Sequence, residues 1–169
     1  MRFLLKICLS VLVLVSTSAA PAHKNFAMPK QMATMLGTWE WHSGSEVFRM
    51  ILRREPAFKL PDGSVHDVII GTHSYNGNLA NAENSIGAKN VDGNPGFTLF
   101  GFPNNSEKLV LSFHDITKNK QGRVLLQVVS GQSNELRWQL TPPTETVSVN
   151  KVIPTGYTVP TTMLLTRVR

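Results

Sequence analysis

The chain has 169 residues, 41% of them hydrophobic, with 17 Lys and Arg against 11 Asp and Glu and a single cysteine, Cys8. That length fits one domain whose core can stand without disulfides. The net charge of +6 is scattered over positions such as Lys30, Arg49, Arg53, Lys118 and Arg167, whereas nucleic-acid binding wants a concentrated basic stripe with stacking aromatics, so no nucleic acid is expected as a partner.

The chain opens on Met1-Arg2 and Lys6, continues through an apolar run from Ile7 to Val15 and reaches a string of small residues from Ser16 to Ala22. This is the pattern of a secretory signal peptide over residues 1–22, with cleavage after Ala20-Pro21-Ala22. The apolar run is about half of the ~20 residues that a membrane-spanning helix requires. No stable membrane anchor is therefore expected after cleavage, and the destination is the periplasm or the medium. Cutting there removes Arg2, Lys6 and Cys8, leaves 147 residues (169 less 22) with a balance of +4, and excludes thiol chemistry in the mature protein.

Residues 23–35 form a lead-in. Met28, Met32 and Met35 could line a short helix lying over one barrel end, with Pro29 in its first turn, and a disordered lead-in is the alternative. From residue 36 the apolar pattern has period two. Leu36-Gly37-Thr38-Trp39-Glu40-Trp41 reads as a first strand, and Glu46 to Arg54 as a second with Phe48, Met50 and Leu52 inward. Val65 to Ser74 places Val68 and Ile70 inward, and Phe97 and Leu99 join the same inner wall. Lys108 to Asp115 contributes Leu109, Leu111 and Phe113; Val124, Leu126 and Val128 follow, then Leu136, Trp138 and Leu140. The last strand, Thr162 to Arg169, offers Met163 and Leu165 on one face or Leu164 and Val168 on the other. Turn residues such as Ser43-Gly44-Ser45, Pro61-Asp62-Gly63 and Asn76-Gly77 join neighbouring runs. The expected fold is all-β, a small antiparallel up-and-down barrel of eight or nine strands over residues 36–169. Leu79 to Asn94 and Pro142 to Thr161 read as long loops.

The search for chemistry returns little. His23, His42, His66, His73 and His114 contain no His-x-His or His-x-x-x-His pair, so no metal site is expected. His66-Asp67 and His114-Asp115 are adjacent on strands, where neighbours point to opposite faces. The nucleophile elbow, the phosphate loop and the dinucleotide glycine motif are all missing. No catalytic residue, no cofactor and no enzymatic activity are expected, and the sequon at Asn104-Asn105-Ser106 is read as chance. What remains is the interior, which with eight strands is either just filled by side chains or just able to hold one small ligand. Trp39, Phe48, Phe113 and Trp138 are the candidate wall for a small apolar ligand. The alternative is a filled barrel acting as a structural or surface-interaction protein of the cell envelope, its protein partner unknown.

Gly37-Thr38-Trp39 resembles the Gly-x-Trp opening of lipocalins and other calycins. That resemblance implies that Trp39 closes one barrel end while an arginine of the last strand, Arg167 or Arg169, lies across it in a cation–π contact. A longer likeness runs through Gly37-Thr38-Trp39-Glu40, then Asp67-Val68-Ile69-Ile70-Gly71 with Tyr75, then Leu136, Trp138 and Leu140, then Pro160-Thr161, Met163 and Leu165-Thr166. This order resembles a family of uncharacterised secreted proteins of Bacteroidetes-type bacteria, a domain of unknown function. It implies a signal peptide followed by a single β-rich domain and brings no catalytic residues with it.

Overall fold

The computed structural model describes residues 28–89, 96–104, 106–143 and 154–168. The signal peptide expected over 1–22, residues 23–27, Asn105, Arg169 and the stretches 90–95 and 144–153 of the two long loops lie outside the described residues. A short helix, α1 (Lys30–Ala33), begins directly after Pro29, whose carbonyl accepts from the Ala33 amide at 3.0 Å. Met32 and Met35 are fully buried and Met28 packs beside them. Of the three methionines only Met32 lies in the helix; Met35 follows it in the turn before β1, and both pack into the end of the barrel core.

Nine strands follow: β1 (Gly37–Ser43), β2 (Glu46–Lys59), β3 (Val65–Tyr75), β4 (Glu83–Asn84), β5 (Leu99–Gly101), β6 (Lys108–Asp115), β7 (Lys120–Val129), β8 (Gln132–Thr141) and β9 (Thr162–Arg167). All pairings are antiparallel and follow chain order except that β3 pairs directly with β5, past β4, and β9 returns to β1 through Trp39 opposite Arg167 and Glu40 opposite Thr166. The result is a closed eight-stranded up-and-down barrel, with the two-residue β4 lying outside it against the end of β3. Full closure leaves most backbone donors and acceptors paired around the ring, which is how a sheet of this size avoids open edges.

Alternation places most side chains as the sequence implies. Phe48, Met50, Leu52, Leu109, Leu111, Phe113, Val124, Leu126, Leu136, Trp138 and Leu140 form one buried cluster, and the last strand turns Met163 and Leu165 inward while Leu164 stays exposed. One strand reverses its expected parity. In β3 it is Ile69 that joins the barrel core, whereas Val68 and Ile70 face outward and are nevertheless 0% and 4% exposed. Gly71 explains the choice: it stands opposite Leu52 and Leu99, both inward, and a Cβ there would lie 2.6 Å from Leu52 Cδ2 and 2.9 Å from the Ile51 carbonyl. With glycine fixed on the inner face, Ile70 must turn out. Phe97, expected on the inner wall, is likewise outside and 38% exposed.

β2 is longer than its alternation suggests. Leu52 is its last residue opposite β1, and the strand then continues past an irregularity between Glu55 and Phe58 that contains Pro56 and Ala57 at φ 54°. Proline, a bulge and the charged Arg53 and Lys59 are the usual means of blunting a sheet edge against other chains.

Candidate functional site

Of the four candidate wall residues, three come together. Phe48 and Trp138 lie 5.1 Å apart between ring centroids, Phe113 and Trp138 5.6 Å, and all are fully buried. These rings pack against one another in the barrel core. Trp39 stands apart at the helix end, where its Nε1 donates to the Met35 carbonyl at 2.8 Å. The Arg167 guanidinium sits 4.3 Å over the Trp39 ring, donates to the Leu36 carbonyl at 2.9 Å and also donates to that of Thr34. Gly37, at φ +116°, is what lets the arginine pass: a Cβ there would lie 2.8 Å from it. Arg167→Lys keeps the charge but loses the flat fork, so it is expected to lower unfolding stability by about 1 to 3 kcal/mol in a denaturant titration.

The far end carries a polar network that sequence reasoning missed. His73 stacks 5.8 Å from Phe48 and lies 4.9 Å from Phe113, entirely inside. Its Nδ1 meets Thr98 Oγ1 at 2.6 Å and its Nε2 meets Glu83 Oε1 at 2.5 Å. Glu83 also accepts from the backbone amides of Ile116 at 3.2 Å and Thr117 at 3.1 Å. Ser85 Oγ receives the His73 amide and donates to the His73 carbonyl. Burial pushes the Glu83 carboxyl up, but the His73 hydrogen bond, the His73 charge and the two amides outweigh it and bring its pKa down from 4.5 to about 2. A hydroxyl, an imidazole and a carboxylate in line have the makings of a proton relay. His73, Glu83 and Thr98 are 0%, 4% and 8% exposed, and their hydrogen bonds fasten β4 and the segment around it onto the barrel end.

Next to them the fully buried Asp115 accepts from the Lys118 amide and from both the amide and hydroxyl of Thr158. Tyr157 OH donates to the Gln121 carbonyl at 3.0 Å, and Lys120 Nζ lies 4.6 Å over its ring. Described parts of both long loops, Glu83 and Ser85 in one and Tyr157 and Thr158 in the other, are therefore anchored over the same barrel mouth. The remaining described histidines have local partners: His42 with Glu40, His66 with Ser64, His114 with Asn119. Among the described residues no group of three or more His, Cys, Asp or Glu side chains could hold a metal ion.

A second cluster lies on the outer wall. Phe97 stacks on Phe100 at 5.7 Å, Phe58 meets both at 6.0 and 5.8 Å, Phe100 meets Phe102 edge-on at 5.5 Å, and His66 closes against Phe102 at 5.7 Å. Ile70, opposite Phe100 in the ladder, shares this outward face with Val68. Phe102 and Val65 remain 46% and 45% exposed. Such a contiguous aromatic surface on a barrel exterior is a feature that soluble proteins keep small unless something covers it.

A protein-family profile described as a family of unknown function matches residues 1–168. No curated protein and no solved structure matches the chain.

Proposed function

The chain belongs to that family of unknown function, DUF6705, and we propose that it is an exported, non-enzymatic protein that holds a protein partner of the cell envelope against the outer wall of its barrel. The observation that carries this is the aromatic face of Phe58, Phe97, Phe100 and Phe102, with Phe97 and Phe102 over a third exposed. Aromatic side chains are enriched in the desolvated centres of protein interfaces, where a few of them supply most of the binding energy. An apolar ligand inside the barrel has weaker support, because Phe48, Phe113 and Trp138 already touch one another there. Export is inferred from the charged start, apolar run and small residues of positions 1–22.

Site-specific photo-crosslinking in the source organism tests the assignment. A photoreactive residue at Phe102 is expected to trap one recurring envelope protein, while the same residue at the exposed Leu164 on β9 traps none of it. With that partner purified, Phe102→Ser should weaken binding by about 2 kcal/mol, roughly thirtyfold, and leave stability nearly unchanged. Equal trapping at both positions, or undiminished binding by the serine variant, would sink the assignment.

A further inference from the structure

β7 and β8 meet at the turn Ser130-Gly131, with Gly131 at φ 76°, and their register then slips: Val129 lies opposite Gln132, whereas Val128 lies opposite Leu136. Ser133 and Asn134 thus fall outside the ladder with β7, and the pairing with β9 starts only at Glu135. Bulges of this kind gather at barrel rims and re-aim the groups around them. Here the displaced hairpin and α1 bound a cleft of about 540 Å³, within the roughly 300–1,000 Å³ span of small-molecule sites.

Its lining has a consistent chemistry. Gln31, Gln127, Gln132, Thr34 and Ser133 make the lining polar, Glu107 is its one charged residue, and the Gln132 amide nitrogen sits beside the Glu135 carboxylate. Met35 and Val128 supply apolar surface, and Gln31 Nε2 donates to Glu107 Oε1 at 3.3 Å, linking the helix to the segment before β6. No lysine, arginine or aromatic ring lines the cleft.

We propose that this cleft binds a neutral, hydroxyl-rich ligand of the saccharide class. Each sugar hydroxyl is both donor and acceptor, and a side-chain amide offers one of each, so paired hydroxyls are satisfied by single glutamines. The Glu107 carboxylate accepts from two neighbouring hydroxyls with charge-assisted strength, and the apolar surface suits the C–H face of a sugar ring. Lys108 follows Glu107 in the chain and Arg137 stands opposite Gln127 beside the cleft, but the only charge in the cleft's own lining is the Glu107 carboxylate, which disfavours anionic ligands there. The site lies on β7, β8 and α1, away from the aromatic face on β2, β3 and β5, so it is independent of the partner surface proposed above.

The test uses the full chain in solution, titrated with maltose, cellobiose and N,N′-diacetylchitobiose, with glucuronate as the charged counterpart, and read by amide chemical shifts and calorimetry. At least one neutral sugar is expected to move the amides of Gln127 to Ser133, and glucuronate is expected to leave them in place. Glu107→Ala should weaken binding about tenfold or more, and Ser133→Trp, which fills the cleft, should abolish it. Should the tryptophan variant fail to fold, Gln127→Ala is expected to weaken binding in the same direction. The proposal is overturned if none of the three neutral sugars moves those amides, if glucuronate binds as well as they do, or if binding survives Glu107→Ala and Gln127→Ala unchanged.

Discussion

Trp138→Ala is expected to remove about 3 to 5 kcal/mol of unfolding stability, at least a fifth of the roughly 5 to 15 kcal/mol that folded domains commonly possess. The ring is fully buried, touches Phe48 and Phe113, and sits in register with Leu126 on β7 and Met163 on β9. Its Nε1 donates to the Pro160 carbonyl at 3.2 Å, so truncation also leaves that acceptor without its donor. Barrel strands cannot close inward to fill such a hole without breaking the ring of hydrogen bonds, and the lost volume stays as a cavity. The denaturant midpoint of the variant measures the loss; a midpoint near the parent's would mean the interior is not packed as described. The same variant should gain a thermal upshift from indole or benzene that the parent lacks, because an apolar void stays dry and takes an apolar guest. A comparable upshift in the parent would instead favour a ligand-holding interior.

Glu83→Gln is expected to be nearly as damaging, at about 3 kcal/mol, because it removes a buried carboxylate at which three donors are aimed. Both oxygens of Glu83 accept hydrogen bonds, from His73, Ile116 and Thr117, and an amide can supply only one accepting atom in their place. The pH dependence follows with a definite sign. A carboxyl at 4.5 when unfolded and about 2 when folded contributes its stability fully above pH 4.5 and loses it as pH falls from there toward 2. The parent should therefore lose stability over that interval more steeply than Glu83→Gln, and the gap between the two should narrow as the medium becomes acid. Parallel acid titrations of the two proteins would contradict this account of the pair.

The barrel was largely written in the alternation of residues 46–54, 108–115 and 135–141, where every second residue is large and apolar, because a pleated strand has no other way to bury one face. The exception is instructive. Val68-Ile69-Ile70 is apolar without a gap, which is what a strand covered on both sides requires, and the outer aromatic cluster is the second cover. Reading period two into that run assigned its faces backwards. Phe58, Phe97, Phe100 and Phe102 could not be joined from sequence, since they come from two different strands and the loop ends beside them. Glu83 was less legible still. It lies in a polar stretch with no periodicity, and only the fold brings it to His73 ten residues earlier and to the amides that follow Asp115. The Gly37, Trp39 and Arg167 arrangement, by contrast, followed from a short motif, because one ring, one guanidinium and one residue without a side chain suffice to specify it.

The seam between β1 and β9 is a ladder of two residue pairs, 126 and 128 positions apart in the chain, extended by the Val168 amide donating to the Thr38 carbonyl. The other strands of the barrel pair with a strand that lies near them in the chain, but this zip waits until every other strand has been made. Synthesis from the ribosome thus yields an unsealed curl with two bare borders for most of its duration, and stops being vulnerable to stray strand addition only when Thr166 and Arg167 emerge.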